Sequence, residues 1–254
     1  VPLYVSLPLT VITVVGIINA VNLIDGVDGL SSGYCMLACS VFGYYFGLSG
    51  QHDMLILASA SVGSMLPFFL HNVFGQSSKM FIGDGGTLTM GIVLSTFVVH
   101  TLSDASNAPT SLDPSFGLVP FTLAVMSIPV FDTLRVMLAR IMRGTSPFHP
   151  DKTHLHHLFI EMRFSHAGAA VSIIFLNAMV IAAQLLTWKL GGSINMQMLV
   201  VVVVSLLCTI GLYYTMHHIS EKNILKRAMY RIGLATRFER KGVFSMLQHL
   251  VDKL

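Results

Sequence analysis

The stretch Asn22–Gly33, "NLIDGVDGLSSG", sets two carboxylates, Asp25 and Asp28, among glycines in the middle of an apolar region. Before it runs Val1–Val21, "VPLYVSLPLTVITVVGIINAV", without a charge. After it comes Tyr34–Leu48, "YCMLACSVFGYYFGL", also without a charge. An apolar run of about 20 residues, once helical, matches the roughly 30 Å hydrocarbon layer of a bilayer. The stretch therefore reads as a polar turn between two membrane helices, at the membrane surface.

The rest of the chain agrees. Hydrophobic residues make up 54% of the 254 residues and charged residues 11%, with a mean hydropathy of +0.73. A soluble domain is about a quarter charged, so that class is excluded. Seven apolar segments can be placed, near 3–21, 31–49, 53–71, 87–101, 116–134, 167–188 and 195–216, the fourth being short. The fold class expected is all-α: a polytopic transmembrane bundle of about seven spans over 1–216, followed by a basic tail over 217–254. Cys35, Cys39 and Cys208 lie inside apolar runs and read as small buried hydrophobes.

The polar connections alternate between two faces. One takes 22–30, 72–86, 135–166 and the tail; the other takes 50–52, 102–115 and 189–194. Fourteen of the 15 Lys and Arg residues fall on the first face, and only Lys189 on the second. Basic residues mark cytoplasmic loops, so the first face is expected to be cytoplasmic, in a plasma membrane. The tail stretch Glu221–Gly242, "EKNILKRAMYRIGLATRFERKG", mixes basic and apolar residues at helical spacing. It reads as an amphipathic helix on an anionic leaflet. Nucleic acid is not an expected partner, because membrane topology already accounts for the basic charge.

The unusual polar residues collect on that same face. Asn19, Asn22, Asp25 and Asp28 belong to its first connection. Phe81–Gly91, "FIGDGGTLTMG", brings Asp84, and Ser146–Phe159, "SPFHPDKTHLHHLF", brings His149, Asp151, Lys152, His154, His156 and His157. By contrast, His52, Asp53, Asp104 and Asp113 read as solvated surface. Each cluster has a plainer reading beside the functional one. Asp25 or Asp28 could cap a helix starting near Leu30, although two acids and two asparagines exceed what a cap needs. Asp84 could cap the span that follows it. It also suits a magnesium ion, which takes one or two protein carboxylates together with phosphate oxygens. The histidines lack the spacing of structural zinc ligands and suit, with Lys152 and Arg143, a phosphate or sugar. Asp132 and Arg135 read as a structural i,i+3 pair.

Together, "NAVNLIDGVDGL", "FIGDGG" and "PDKTHLHHL" resemble the motifs of the polyprenyl-phosphate N-acetylhexosamine-1-phosphate transferases, the MraY/WecA-type glycosyltransferase family 4, in the family's order. The His-Leu-His-His run is similar to the WecA-like branch rather than the peptidoglycan branch, which has three uninterrupted histidines. The resemblance implies transfer of N-acetylglucosamine-1-phosphate from UDP-N-acetylglucosamine to undecaprenyl phosphate in a bacterial inner membrane, with release of UMP. It implies Mg2+ as cofactor, with Mn2+ as a substitute, held at Asp84. It implies catalytic roles for Asp84, Asp25, Asp28, His154, His156 and His157, and substrate binding by Asn19 and Asn22, with Lys152 and Arg143 as further phosphate contacts. A homodimer is compatible with it. The family's Asp-Asp pair, from an earlier cytoplasmic loop, occurs nowhere in this sequence. The expectation is that native sequence is missing upstream and that this stretch alone is not catalytically competent. The rival class is a polytopic transporter of an anionic substrate, which would place its polar residues nearer the bilayer midplane.

Overall fold

The computed structural model describes residues 2–103, 113–149, 152–237 and 243–253. Asp104, Asp151, Arg240, Lys241 and most of the 102–115 loop lie outside the described residues. Within them the chain is helical. Its helices are α1 (Leu3–Leu23), α2 (Leu30–Leu48), α3 (His52–Phe74), α4 (Gly83–Ser103), α5 (Leu118–Val125), α6 (Ser127–Met142), α7 (Leu155–Glu161), α8 (His166–Lys189), α9 (Ile194–Leu206), α10 (Leu212–His218), α11 (Ile224–Ala235) and α12 (Val243–Val251). A π-helical turn, Leu207–Gly211, joins α9 to α10 without a break in the rod.

Among the described residues, α1, α3, α4, α8 and the α9–α10 rod are long and apolar enough to cross a membrane. The α5–α6 pair makes a sixth candidate if its two halves count as one span. Five or six of the expected seven spans are thus supported among the described residues. The second expected segment, α2, forms its helix but is not among the candidates. Ser31, Ser32, Ser40, Gly33, Gly43 and Gly47 dilute its apolar character, and more than half of its 19 residues are buried. It is the inner helix of the bundle, and Phe42 and Phe46 on it pack with Phe97 of α4 and Phe121 of α5. The fourth segment is longer than expected. Helix α4 begins at Gly83, so "GDGG" is its first turn rather than a loop before it. It lies close along α1, since a Cβ at Gly91 would come within 2.8 Å of the Ile18 Cα.

The fifth expected segment is broken. Helices α5 and α6 meet at Met126 with a bend of 72°. Backbone groups freed inside a bundle need partners, and side chains from distant helices supply them. Asn177 of α8 accepts from the Ile128 amide and the Ser127 hydroxyl, each at 3.0 Å, and donates to the Val125 carbonyl at 3.0 Å. The Tyr34 hydroxyl of α2 donates to the same carbonyl at 3.1 Å. Pro129, in the first turn of α6, has no amide to satisfy. After the bend α6 runs on to Met142, which makes Arg135 and Arg140 buried helical residues rather than loop residues.

At the end of the bundle where α1 passes to α2, the connections 24–29 and 75–82 come together with residues 152–165. At the other end Gln197 of α9 ties the 113–117 segment to the α8–α9 turn. It accepts from the Gly117 amide at 3.1 Å and donates to the carbonyls of Ser115 (2.8 Å) and Gly192 (2.9 Å).

Candidate functional site

The turn between α1 and α2 is shaped by backbone geometry, not by acid caps. Gly29 is the N-cap of α2, with φ +79°, and no side chain caps the helix there. That conformation suits glycine. The Gly29 amide donates to Asn72 Oδ1 at 2.6 Å, and Asn72 in turn donates from Nδ2 to the Met80 carbonyl at 2.7 Å. A single buried amide from α3 therefore joins the 24–29 turn to the 75–82 loop. Neither Asp25 nor Asp28 is used as the cap that their position suggests, and both remain at the mouth of the turn.

Each acid has a defined setting. Asp28 Oδ2 meets Lys79 Nζ at 2.7 Å and His166 Nδ1, in the first turn of α8, at 3.3 Å. Asp25 Oδ1 accepts from the Ser31 hydroxyl at 2.6 Å. Burial pushes the Asp25 carboxyl above its ordinary value, and the charges of Asp84 and Asp28 push the same way, against the lowering effect of the Ser31 bond. The Asp84 and Asp28 carboxylates are thus near enough to Asp25 to act on it electrostatically. Asp84 stands exposed in the first turn of α4. Asn22 accepts from the Thr87 hydroxyl at 2.5 Å, one turn further along α4, which fixes that helix start against the end of α1. Asn19 lies half-buried one turn back on α1.

The histidine segment closes over the turn. The His156 ring rests on Gly26 so closely that a Cβ at Gly26 would overlap it. Its ring is 5.8 Å from that of His154, stacked, and 4.2 Å from that of His157. Burial, with His157 and His154 alongside, lowers the His156 pKa to about 4, so the ring is neutral at pH 7.

Asp132 organises this segment. Its Oδ2 meets His154 Nδ1 at 3.0 Å and accepts from the Leu155 amide at 3.1 Å, at the start of α7. Its Oδ1 accepts from Arg135 at 2.7 and 3.2 Å. Arg135 also donates to the Thr153 carbonyl at 2.5 Å and lies over the Tyr213 ring, 3.9 Å from its centre. The i,i+3 pair read from the sequence is present. Its larger part, the holding of His154, was missed, because a local spacing already accounted for both residues. The remaining nitrogen of His154, Nε2, is buried without a partner. In the neutral ring that gives Nδ1–H to the carboxylate, Nε2 is an acceptor.

Two further expected residues are exposed. Arg143 is exposed and donates to the Ala139 carbonyl of its own helix at 3.0 Å. Lys152 is exposed. Lys79 and His166, which the sequence reading passed over, are the basic groups on Asp28. Among the described residues no three His, Cys, Asp or Glu side chains are grouped to hold a metal by themselves.

Residues 1–102 match the glycosyl transferase family 4 model. This match takes in the first two motifs. The chain is 30% identical over 147 residues to the undecaprenyl-phosphate alpha-N-acetylglucosaminyl 1-phosphate transferase of Escherichia coli K12, a match covering 57% of this chain and 38% of that protein. It is 36% identical over 161 residues to the decaprenyl-phosphate N-acetylglucosaminephosphotransferase of Mycolicibacterium smegmatis, covering 61% and 39% respectively. The chain thus spans about two-fifths of the length of the curated relatives it matches. No solved structure matches. The chain is thus similar to glycosyl transferase family 4 over its first 102 residues, and to polyprenyl-phosphate N-acetylglucosamine-1-phosphate transferases over part of their length.

Proposed function

We propose that this chain carries the substrate-binding end of a polyprenyl-phosphate N-acetylglucosamine-1-phosphate transferase. The reaction takes UDP-N-acetylglucosamine from the cytosol and undecaprenyl phosphate from the bacterial inner membrane. An oxygen of the lipid phosphate attacks the phosphorus that bears the sugar. The bridging P–O bond breaks, UMP leaves, and a lipid diphosphate sugar remains. One observation carries the reading: segments distant in sequence meet at one end of the bundle, His156 of the third motif on Gly26 of the first and Thr87, just past the second, on Asn22, with Lys79 and His166 on Asp28 beside them. The positive-inside rule makes that end cytoplasmic.

Both substrates are anions, so their repulsion must be offset. Mg2+ at Asp84 and Asp25, when bound, would supply charge neutralisation to the phosphates. The chain's own groups do the rest. Lys79 and His166 bring positive or donor groups to the edge of the acidic cluster. His154 presents Nε2 as an acceptor, its orientation fixed by Asp132. The neutral His156 ring covers Gly26 and keeps the turn closed.

The transporter reading has one feature in its favour, the break between α5 and α6, because transporters build sites at broken helices. Here Asn177 and Tyr34 occupy the freed backbone groups on both sides of the break, which leaves little for an ion to coordinate. The test is UMP release by the complete protein in detergent, with and without undecaprenyl phosphate and Mg2+. Release that requires both, and that falls at least about a hundredfold in Asp84→Asn, is expected. Release indifferent to Asp84→Asn would overturn the metal assignment. Uptake of a substrate into proteoliposomes without UMP release would favour the transporter.

A further inference from the structure

The tail reads in the sequence as a membrane-surface helix, but its last residues reach back to the site. Helix α12 packs on α3. Just beyond it, Asp252 Oδ1 accepts from the Gln76 amide at 3.0 Å, the Ser78 amide at 3.3 Å and the Ser78 hydroxyl at 3.0 Å. A carboxylate that gathers neighbouring amides in this way fixes the turn they belong to. These bonds, led by the one from Gln76, hold the Asp252 carboxyl below the ordinary range, so it is ionised at neutral pH. His71 Nδ1 adds a contact to the same Ser78 hydroxyl at 3.1 Å.

The loop so fixed is the one that enters the site. Lys79, the residue after Ser78, makes the 2.7 Å pair with Asp28. Met80, one further on, takes the Asn72 amide that also holds Gly29. The 75–80 loop is therefore fastened on one side to the acidic turn and on the other to the C-terminal helix. Lys79 is a long, exposed side chain on a loop without regular structure. Holding it in one geometry against Asp28 costs side-chain entropy, and a rigid backbone beneath it lowers that cost.

We propose that Asp252 is a positioning residue and α12 a clasp: by fixing the 75–80 loop, they hold Lys79 at the acidic turn, where it meets the nucleotide-sugar phosphates. The phosphate contact rests on the transferase reading above; the clasp does not.

The experiment compares Asp252→Ala and Asp252→Asn in the complete protein in detergent. Asparagine keeps an Oδ1 acceptor for Gln76 and Ser78, whereas alanine removes it. The first readout is amide hydrogen exchange of residues 75–80. Faster exchange in Asp252→Ala, restored in Asp252→Asn, is expected, and unchanged exchange in Asp252→Ala would overturn the clasp. The second readout is steady-state kinetics with UDP-N-acetylglucosamine. A rise of about two- to fivefold in KM, the size of one exposed charge contact, with kcat nearly kept and with recovery in Asp252→Asn, is expected. Loosened exchange with unchanged KM would overturn the positioning role and leave α12 a purely structural helix. If the wild-type protein releases no UMP, the transferase reading fails, and the exchange data by themselves still support or overturn the clasp.

Discussion

Both ends of the bundle bury polar side chains, and they use them in opposite ways. At the end away from the site, Gln197 spends both donors and both lone pairs within the fold, on Ser115, Gly192, Gly117 and the Gln184 side-chain amide at 3.0 Å. Its neighbour Gln184 keeps one neutral acceptor, Oε1, without a partner. At the site end, Asp132 and Arg135 are equally buried and equally well bonded, but they serve to hold something else. They fix His154 with a ring nitrogen left over, beside a turn whose Asp25 carboxyl is raised by burial and by the charges of Asp84 and Asp28. Buried polarity alone therefore does not mark a site. Like charges that act on one another, and a buried group held in place with capacity to spare, do.

The strongest way to break this comparison is at Asp132. In Asp132→Asn the side chain keeps its size but turns a donor toward His154 Nδ1 or loses that contact, so His154 presents the wrong nitrogen. Transferase activity is expected to fall at least about a hundredfold, the usual scale for a misplaced acid–base group, while the helical circular dichroism of the purified protein is kept. Asp132→Ala goes further, because it leaves Arg135 buried without its partner, and about 3–5 kcal/mol of stability should be lost. An Asp132→Asn protein with normal kcat would reduce the site end to the same structural role as the Gln197 end.

His156 gives the site end a pH signature of its own. Its folded pKa is about 4 against an ordinary 6.5. Between those values the unfolded chain binds more protons, so stability declines as pH falls from about 6.5 to 4. The shift corresponds to roughly 3 kcal/mol at most. Thermal midpoints in detergent should therefore drop on acidification, and His156→Gln should flatten that dependence. The same slope in wild type and His156→Gln would remove His156 as its source.

The sequence carried much of this arrangement and hid particular parts of it. The long uncharged runs of α1, α3 and α8 needed nothing but length. The three motifs pointed to one face because the loops alternate and the basic residues choose a side. Helix α4 started earlier than its apolar pattern because Gly83, Gly85 and Gly86 read as turn residues, yet its first turn is secured from outside by Asn22 on Thr87. The α5–α6 bend left only Pro129 as a sign in an otherwise continuous apolar run. It depends on Asn177, 49 residues beyond Ile128 in the chain. Asp132 concealed its main partner behind a correct local one. Lys79 looked like one more basic loop residue, and only the packing shows that it meets Asp28 and that Asp252 holds its loop.

The smallest expected effects separate the two ends most cleanly. Gln197→Leu leaves the Gly117 amide and the Ser115 and Gly192 carbonyls without their partner, so it should cost about 1–3 kcal/mol of stability. Its KM and kcat below the new melting range should stay near wild type. Gly26→Ala should cost a similar amount, about 1–3 kcal/mol, because the added methyl must displace the His156 ring. Here, though, the displaced group belongs to the site. The two variants therefore match in thermal stability and part in kinetics, with kcat/KM reduced in Gly26→Ala alone. Equal kinetic losses in both would mean that activity follows overall stability, and that the closeness of His156 to the acidic turn is packing without function.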